Sequence, residues 1–184
     1  MAGMNNYELM ALALEKRVPS KAMTEAVMIS AAGNSNGAEL MEILFEKHGG
    51  KIIITEAIII AAIENRMWGV KIVEALLKEQ KKNITITNEV IKALVKRNKA
   101  AITWSRIDDI TIPLLEKRGA DMRATEEIFR MMATKINFSK KALTLLIEKQ
   151  GEKMKVTQEM VEIVAEEYPD DAILLAEMEE MCKM

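Results

Sequence analysis

The chain repeats itself about every 31 or 32 residues, and no other feature constrains its folding as strongly. Five times a hydrophobic residue in a charged stretch stands ten residues before a threonine: LEKRVPSKAMT (Leu14–Thr24), FEKHGGKIIIT (Phe45–Thr55), LKEQKKNITIT (Leu77–Thr87), LEKRGADMRAT (Leu115–Thr125) and IEKQGEKMKVT (Ile147–Thr157). A fixed period of this length belongs to stacked arrays, in which no unit buries its apolar face alone and each leans on its neighbours. The expected fold is all-α: an α-solenoid of about five stacked helical hairpins, about eleven helices, wound as a right-handed superhelix. One array is expected over 1–184, with a partial unit near 1–23 and units near 24–54, 55–86, 87–124, 125–156 and 157–184.

Each unit reads as two short helices. Helix A opens at the threonine (Thr24, Thr55, Thr87, Thr125, Thr157), which as an N-cap accepts a bond from a free backbone N–H worth about 1 kcal/mol. Acidic or amide residues follow at once, as in Glu25, Glu56 and Glu126-Glu127, where the helix dipole favours them. AVMISAA (Ala26–Ala32) and AIIIAAI (Ala57–Ile63) are apolar all round, which predicts burial on several sides. Asn34, Asn65, Asn98 and Asn137 are expected to close helix A, since asparagine tolerates the left-handed conformation that follows a helix. A ladder of asparagines bonding successive turns is the alternative. Helix B is amphipathic, as in GVKIVEALLKEQ (Gly69–Gln80), with basic residues in its last turn and a glycine stop in several units.

The pattern breaks in three places. Thr87 to Thr125 spans 38 residues, so about six are inserted, within KAAITWSRIDD (Lys99–Asp109), and Pro113 is expected in the first turn of the next helix. At the start, Ala2–Arg17 lines up with Ala32–His48, ELM recurring at Glu8–Met10 and Glu39–Met41. At the end, Ala172–Met184 is a helix B without a glycine stop. The chain therefore reads as a slice of a longer array whose ends expose apolar surface and favour self-association.

Composition excludes several functions. A net charge of −2 provides no attraction to nucleic acid or an anionic membrane. Ile52–Ile63 is the most apolar stretch, but Glu56 interrupts it and it is too short to span a bilayer. Cys182, the one cysteine, forms no internal disulfide, which points to a reducing, cytoplasmic setting. The 15 methionines read as adaptable filler between helices.

No catalytic, cofactor or metal site is expected. Asp108-Asp109 and Asp170-Asp171 both precede a helix B, where aspartate caps and faces the dipole. His48, the one histidine, fills a helix-end slot that Arg17, Gln80, Arg118 and Gln150 fill elsewhere, so a zinc site or Cys-His pair is excluded. Partner contact is assigned instead to the scarce aromatics. Trp68, Trp104, Phe138 and Tyr168, four of seven, fall in successive A-to-B connections and make a candidate column of interface anchors. The competing reading is that each ring staples its own turn.

The unit carried by Thr24-Glu25, Ala31–Asn34, Gly37–Met41 and Glu46–Gly49, and repeated at Thr55-Glu56, Ala61–Asn65 and Gly69, resembles the short degenerate helical repeats of large fungal proteins. Those repeats stand beside ankyrin arrays or NACHT-type modules in receptors like those of innate immunity. The resemblance implies a recognition or scaffolding array without catalytic residues. The expected function is binding of a protein or peptide, with no cofactor, nucleic acid or membrane; a self-assembling structural module is the alternative.

Overall fold

The computed structural model describes residues 21–48, 52–79, 86–99, 107–118, 125–134, 138–151 and 154–183. These residues form ten α-helices, which alternate between the two helix types of the repeat. By its contacts the chain divides into two compact units, Met1–Ile84 and Thr85–Met184.

The first unit contains α1 (Lys21–Gly33), α2 (Gly37–His48), α3 (Glu56–Glu64) and α4 (Gly69–Glu79). α1 and α2 form one hairpin and α3 and α4 the next, and like packs on like: α3 lies on α1 and α4 on α2. Small side chains make the A-layer contact close, because Ala31, Ala32 and Ala62 are fully buried. Around them Met28, Met41, Ile58, Ile59, Ile63 and Ile72 are removed from water, each contributing roughly 1.5–3 kcal/mol. α3 is not buried on every side, as its composition predicted. It buries Ile58, Ile59, Ala62 and Ile63, leaves Ala57 exposed, and leaves Ile60 and Ala61 half-exposed.

The second unit contains α5 (Asn88–Lys99), α6 (Asp108–Arg118), α7 (Glu126–Ala133), α8 (Lys140–Gln150), α9 (Gln158–Glu167) and α10 (Ala172–Lys183). The same two-layer scheme recurs: α5, α7 and α9 pack in series, α8 lies on α6, and α7–α8 and α9–α10 pair as hairpins. Phe129, Met132, Leu143, Leu146, Val164 and Met178 form its core. Methionine serves as filler in both units, with Met28, Met41, Met132, Met154, Met160 and Met178 all buried.

The helix ends follow the repeat with informative exceptions. Thr87, Thr125 and Thr157 accept bonds from the N–H groups of Val90, Ile128 and Met160, as N-caps should. Thr55 caps by position only: its hydroxyl donates to Glu25 Oε1 at 2.6 Å, one repeat upstream. α1 begins at Lys21, so Thr24 lies inside its first turn and not at the N-cap position the repeat suggests. Pro113 falls in the second turn of α6, because that helix already starts at Asp108. Gly151 stops α8 at φ +47°, a conformation that suits glycine.

Successive repeats of the second unit are laced by ion pairs. Lys92 lies 3.1 Å from Glu89 and 3.8 Å from Glu127 of the next A helix, and Arg130 pairs with Glu126 and with Glu159 of the one after. Across the B layer Lys140 pairs with Asp171, which also caps α10 through the Leu174 N–H. Exposed pairs are individually weak. Their protons still report on folding: the Lys140 ammonium and the Leu174 N–H hold the Asp171 carboxyl below its ordinary range. A group shifted in that direction stabilises the fold above the ordinary carboxylate range and loses that contribution as the pH falls. Asp171→Asn keeps a capping oxygen and removes the charge. Thermal melts at pH 7 and pH 3 should therefore show a smaller acid loss for Asp171→Asn than for the wild type; equal losses would rule out this linkage.

Candidate interaction surface

The turn between α3 and α4 is built on one buried side chain. Asn65 ends α3 with φ −71° and ψ 103°, and no described residue other than glycine has positive φ, so the left-handed stop expected of the asparagines is not how this one works. Its value lies in the amide. Nδ2 donates to the carbonyls of Ala32 and Asn34, both at 2.8 Å, in the preceding hairpin. Oδ1 accepts from the N–H groups of Met67 at 3.1 Å and Trp68 at 2.9 Å. Two donor and two acceptor positions are thus all used, in a site only 8% exposed. Asn34 occupies the same register one repeat earlier and binds within its own turn, accepting from the Asn36 N–H.

Close approach at this joint requires a glycine. A Cβ on Gly37 would lie 2.8 Å from Ile72 Cδ1, 2.9 Å from the Ala31 carbonyl and 3.1 Å from Asn65 Nδ2. Gly37 is therefore the space into which the Asn65 latch and α4 fit.

The latch presents Met67 and Trp68 at the surface. Met67 is 65% exposed, and Trp68 is half-buried with Lys71 Nζ 4.9 Å from its ring centroid, a cation–π contact. The other aromatic candidates are placed differently. Phe138 is 2% exposed and Tyr168 8%, so both belong to the core and offer no ring to a partner. Phe138 precedes Ser139, the N-cap of α8, and buried Leu143 stands at N4, the pattern of a hydrophobic staple. Tyr168 closes α9 through its N–H to the Val164 carbonyl, and burial pushes its phenol above the ordinary range. Trp104, Asn137 and the side chains of Asn98 and His48 lie outside the described residues.

One aspartate of each pair makes a structural bond, and Asp108-Asp109 stand in the first turn of α6 and not before it. Asp171 caps α10, and Asp108 Oδ1 accepts from the Ser139 N–H at 3.5 Å, 31 residues on. Among the described residues no group of three or more His, Cys, Asp or Glu side chains is arranged to hold a metal ion. No described helix is long and apolar enough to cross a membrane.

Composition alone did not single out Met67 or Ile53, which is 50% exposed at the entry to α3. A comparison of registers finds Ile53: the residue two before the threonine is isoleucine here and exposed Lys155 before α9.

The model of a family described as a domain of unknown function (DUF7104) matches this chain three times, at residues 14–41, 43–72 and 76–96, together less than half its length. The first match runs through α1 into α2, the second from the end of α2 through α3 into α4, and the third from the end of α4 into α5. What all three share is the repeating threonine (Thr24, Thr55, Thr87) and the stretch of helix A that follows it. No curated protein and no solved structure matches significantly.

Replacing Asn65 by alanine should cost about 3 kcal/mol in denaturant unfolding, because it strands buried carbonyl and N–H groups. Asn34→Ala, half-exposed and bonded within its own turn, should cost under about 1 kcal/mol. Equal losses would show that the bridge between hairpins carries no special weight.

Proposed function

We propose that this protein is a non-catalytic recognition or scaffolding module that binds a protein or peptide on a preformed surface of its helical array, within the cytoplasm. The observation that carries the reading is the latched turn at Asn65. Exposed Met67 and half-exposed Trp68 are large apolar groups in a connection where water would favour polar ones. Four hydrogen bonds fix the backbone beneath them, so a partner meets the turn already ordered and little entropy is lost on binding. Tryptophan and methionine are enriched at interface cores. The resemblance of the joint to repeats of fungal NACHT- and ankyrin-bearing proteins points the same way.

Trp68→Ala and Met67→Ser should fold with unchanged circular dichroism and lose partner capture in a crosslinking pull-down from the native source, by about tenfold each if they are anchors. Capture that survives both substitutions would remove this turn from the interface. Light scattering on the purified chain separates the self-assembling alternative, which predicts a mass above the monomer.

A further inference from the structure

We infer that the α3–α4 turn takes an acidic peptide segment, one in which an aspartate or glutamate stands beside a large apolar side chain; this names a partner class for the surface proposed above and rests on that reading. The comparison that carries it is internal to the chain. Asn34 and Asn65 open the same kind of turn one repeat apart. Each accepts through Oδ1 from the N–H two residues on, Asn36 at 2.9 Å and Met67 at 3.1 Å. Each turn also closes on a glycine, Gly37 or Gly69, whose N–H donates to the asparagine carbonyl at 3.0 Å. Between those fixed points the first turn carries Ser35 and Asn36, and the second carries Arg66, Met67 and Trp68. The frame closes with two small polar residues in one repeat, so its closure does not require Arg66 or Met67. Met67 and the uncovered part of Trp68 supply the apolar contact.

Charge selects the occupant. Arg66 is exposed, and no described carboxylate pairs with its guanidinium. Lys71, also exposed, holds its ammonium 4.9 Å from the Trp68 ring centroid and pairs with no described carboxylate either. Two cations thus bracket Met67 and Trp68 along the chain. A carboxylate matches them: a guanidinium takes it through parallel N–H donors, and an ammonium over a ring still has donors for an anion. Phosphate polymers and anionic lipid match less well. Phosphate sites draw on clustered backbone N–H groups, and here those of Met67, Trp68 and Gly69 are all taken by Asn65. Affinity for a polyanion also grows with the number of phosphates neutralised, and the next charged residue along α4 is exposed Glu74.

The test is fluorescence anisotropy of the full chain with three labelled synthetic peptides that share a leucine–phenylalanine centre, flanked by glutamates, by glutamines or by lysines. The glutamate peptide should bind at least about tenfold more tightly than the other two, and its affinity should fall as salt rises. Arg66→Gln and Lys71→Gln should each weaken it by about threefold to tenfold. Lys71→Arg, which keeps a cation beside the ring, should preserve it, and so should Lys155→Gln at an exposed lysine of the second unit. The peptide comparison and the salt dependence need no variant, so they decide even where a substitution disturbs the turn. Absent binding, equal binding of the glutamate and glutamine peptides, or affinity unchanged by both glutamine substitutions overturns the inference. So does tighter binding to an oligothymidine or to phosphatidylserine vesicles. In the pull-down, capture that Trp68→Ala removes and combined Arg66→Gln and Lys71→Gln leave intact also overturns it, while the turn remains an interface.

Discussion

Asn65 shows what a stacked hairpin array must solve. Every turn between an inner and an outer helix leaves backbone carbonyls and N–H groups pointing into a region that the next hairpin covers, and a buried polar group without a partner is costly. A single amide with two donors and two acceptors answers both sides of the joint at once, reaching the carbonyls of Ala32 and Asn34 behind it and the N–H groups of Met67 and Trp68 ahead of it. The bond works only if the preceding turn lies at one sequence distance and if Gly37 leaves the space. The period is in this sense a bonding constraint as much as a packing one. Insertion between Asn34 and Asn65 would separate donor from acceptor.

The second unit meets the same need for register with different chemistry. Asp108 reaches Ser139, Lys140 reaches Asp171, Lys92 reaches Glu127 and Arg130 reaches Glu159, each about one repeat along the chain. The choice has a consequence for the surface. In the first unit the bridges of Asn65 and of Thr55 to Glu25 sit at helix ends. In the second unit Lys92 and Arg130 place their bridges on the A-helix face itself, which is charged. In the first unit the second and fifth residues after the repeating threonine are Ala26, Ile29, Ala57 and Ile60 in place of those charges.

Most of the fold was legible because caps, stops and apolar periodicity are local signals. Thr87, Thr125 and Thr157 cap as read, and the two-helix unit follows from spacing alone. The misreadings share one cause, which is that a local signal was asked a tertiary question. Asparagine after a helix suggests left-handed backbone, but Asn65 keeps ordinary dihedrals because its side chain has partners 31 and 33 residues away. An aromatic in a turn reads equally as staple or anchor. Phe138 is drawn inward by the N4 position of its own helix, whereas Trp68 stays half-exposed under Lys71, and only packing separates the two.

The family match sharpens where function can reside. All three segments contain the repeating threonine and helix A residues, and the first two also the turn that follows, residues largely occupied by folding. A surface able to discriminate partners has to be written in positions the repeat leaves open. The fifth residue after the threonine is such a position, running Ile29, Ile60, Lys92, Arg130 and Glu162 through helices of the same type. It lies outside the cap and the buried core, though Lys92 and Arg130 also bridge to the next repeat there. If the array recognises a partner as proposed, the registers outside cap and core are where one repeat can differ from the next at fixed spacing.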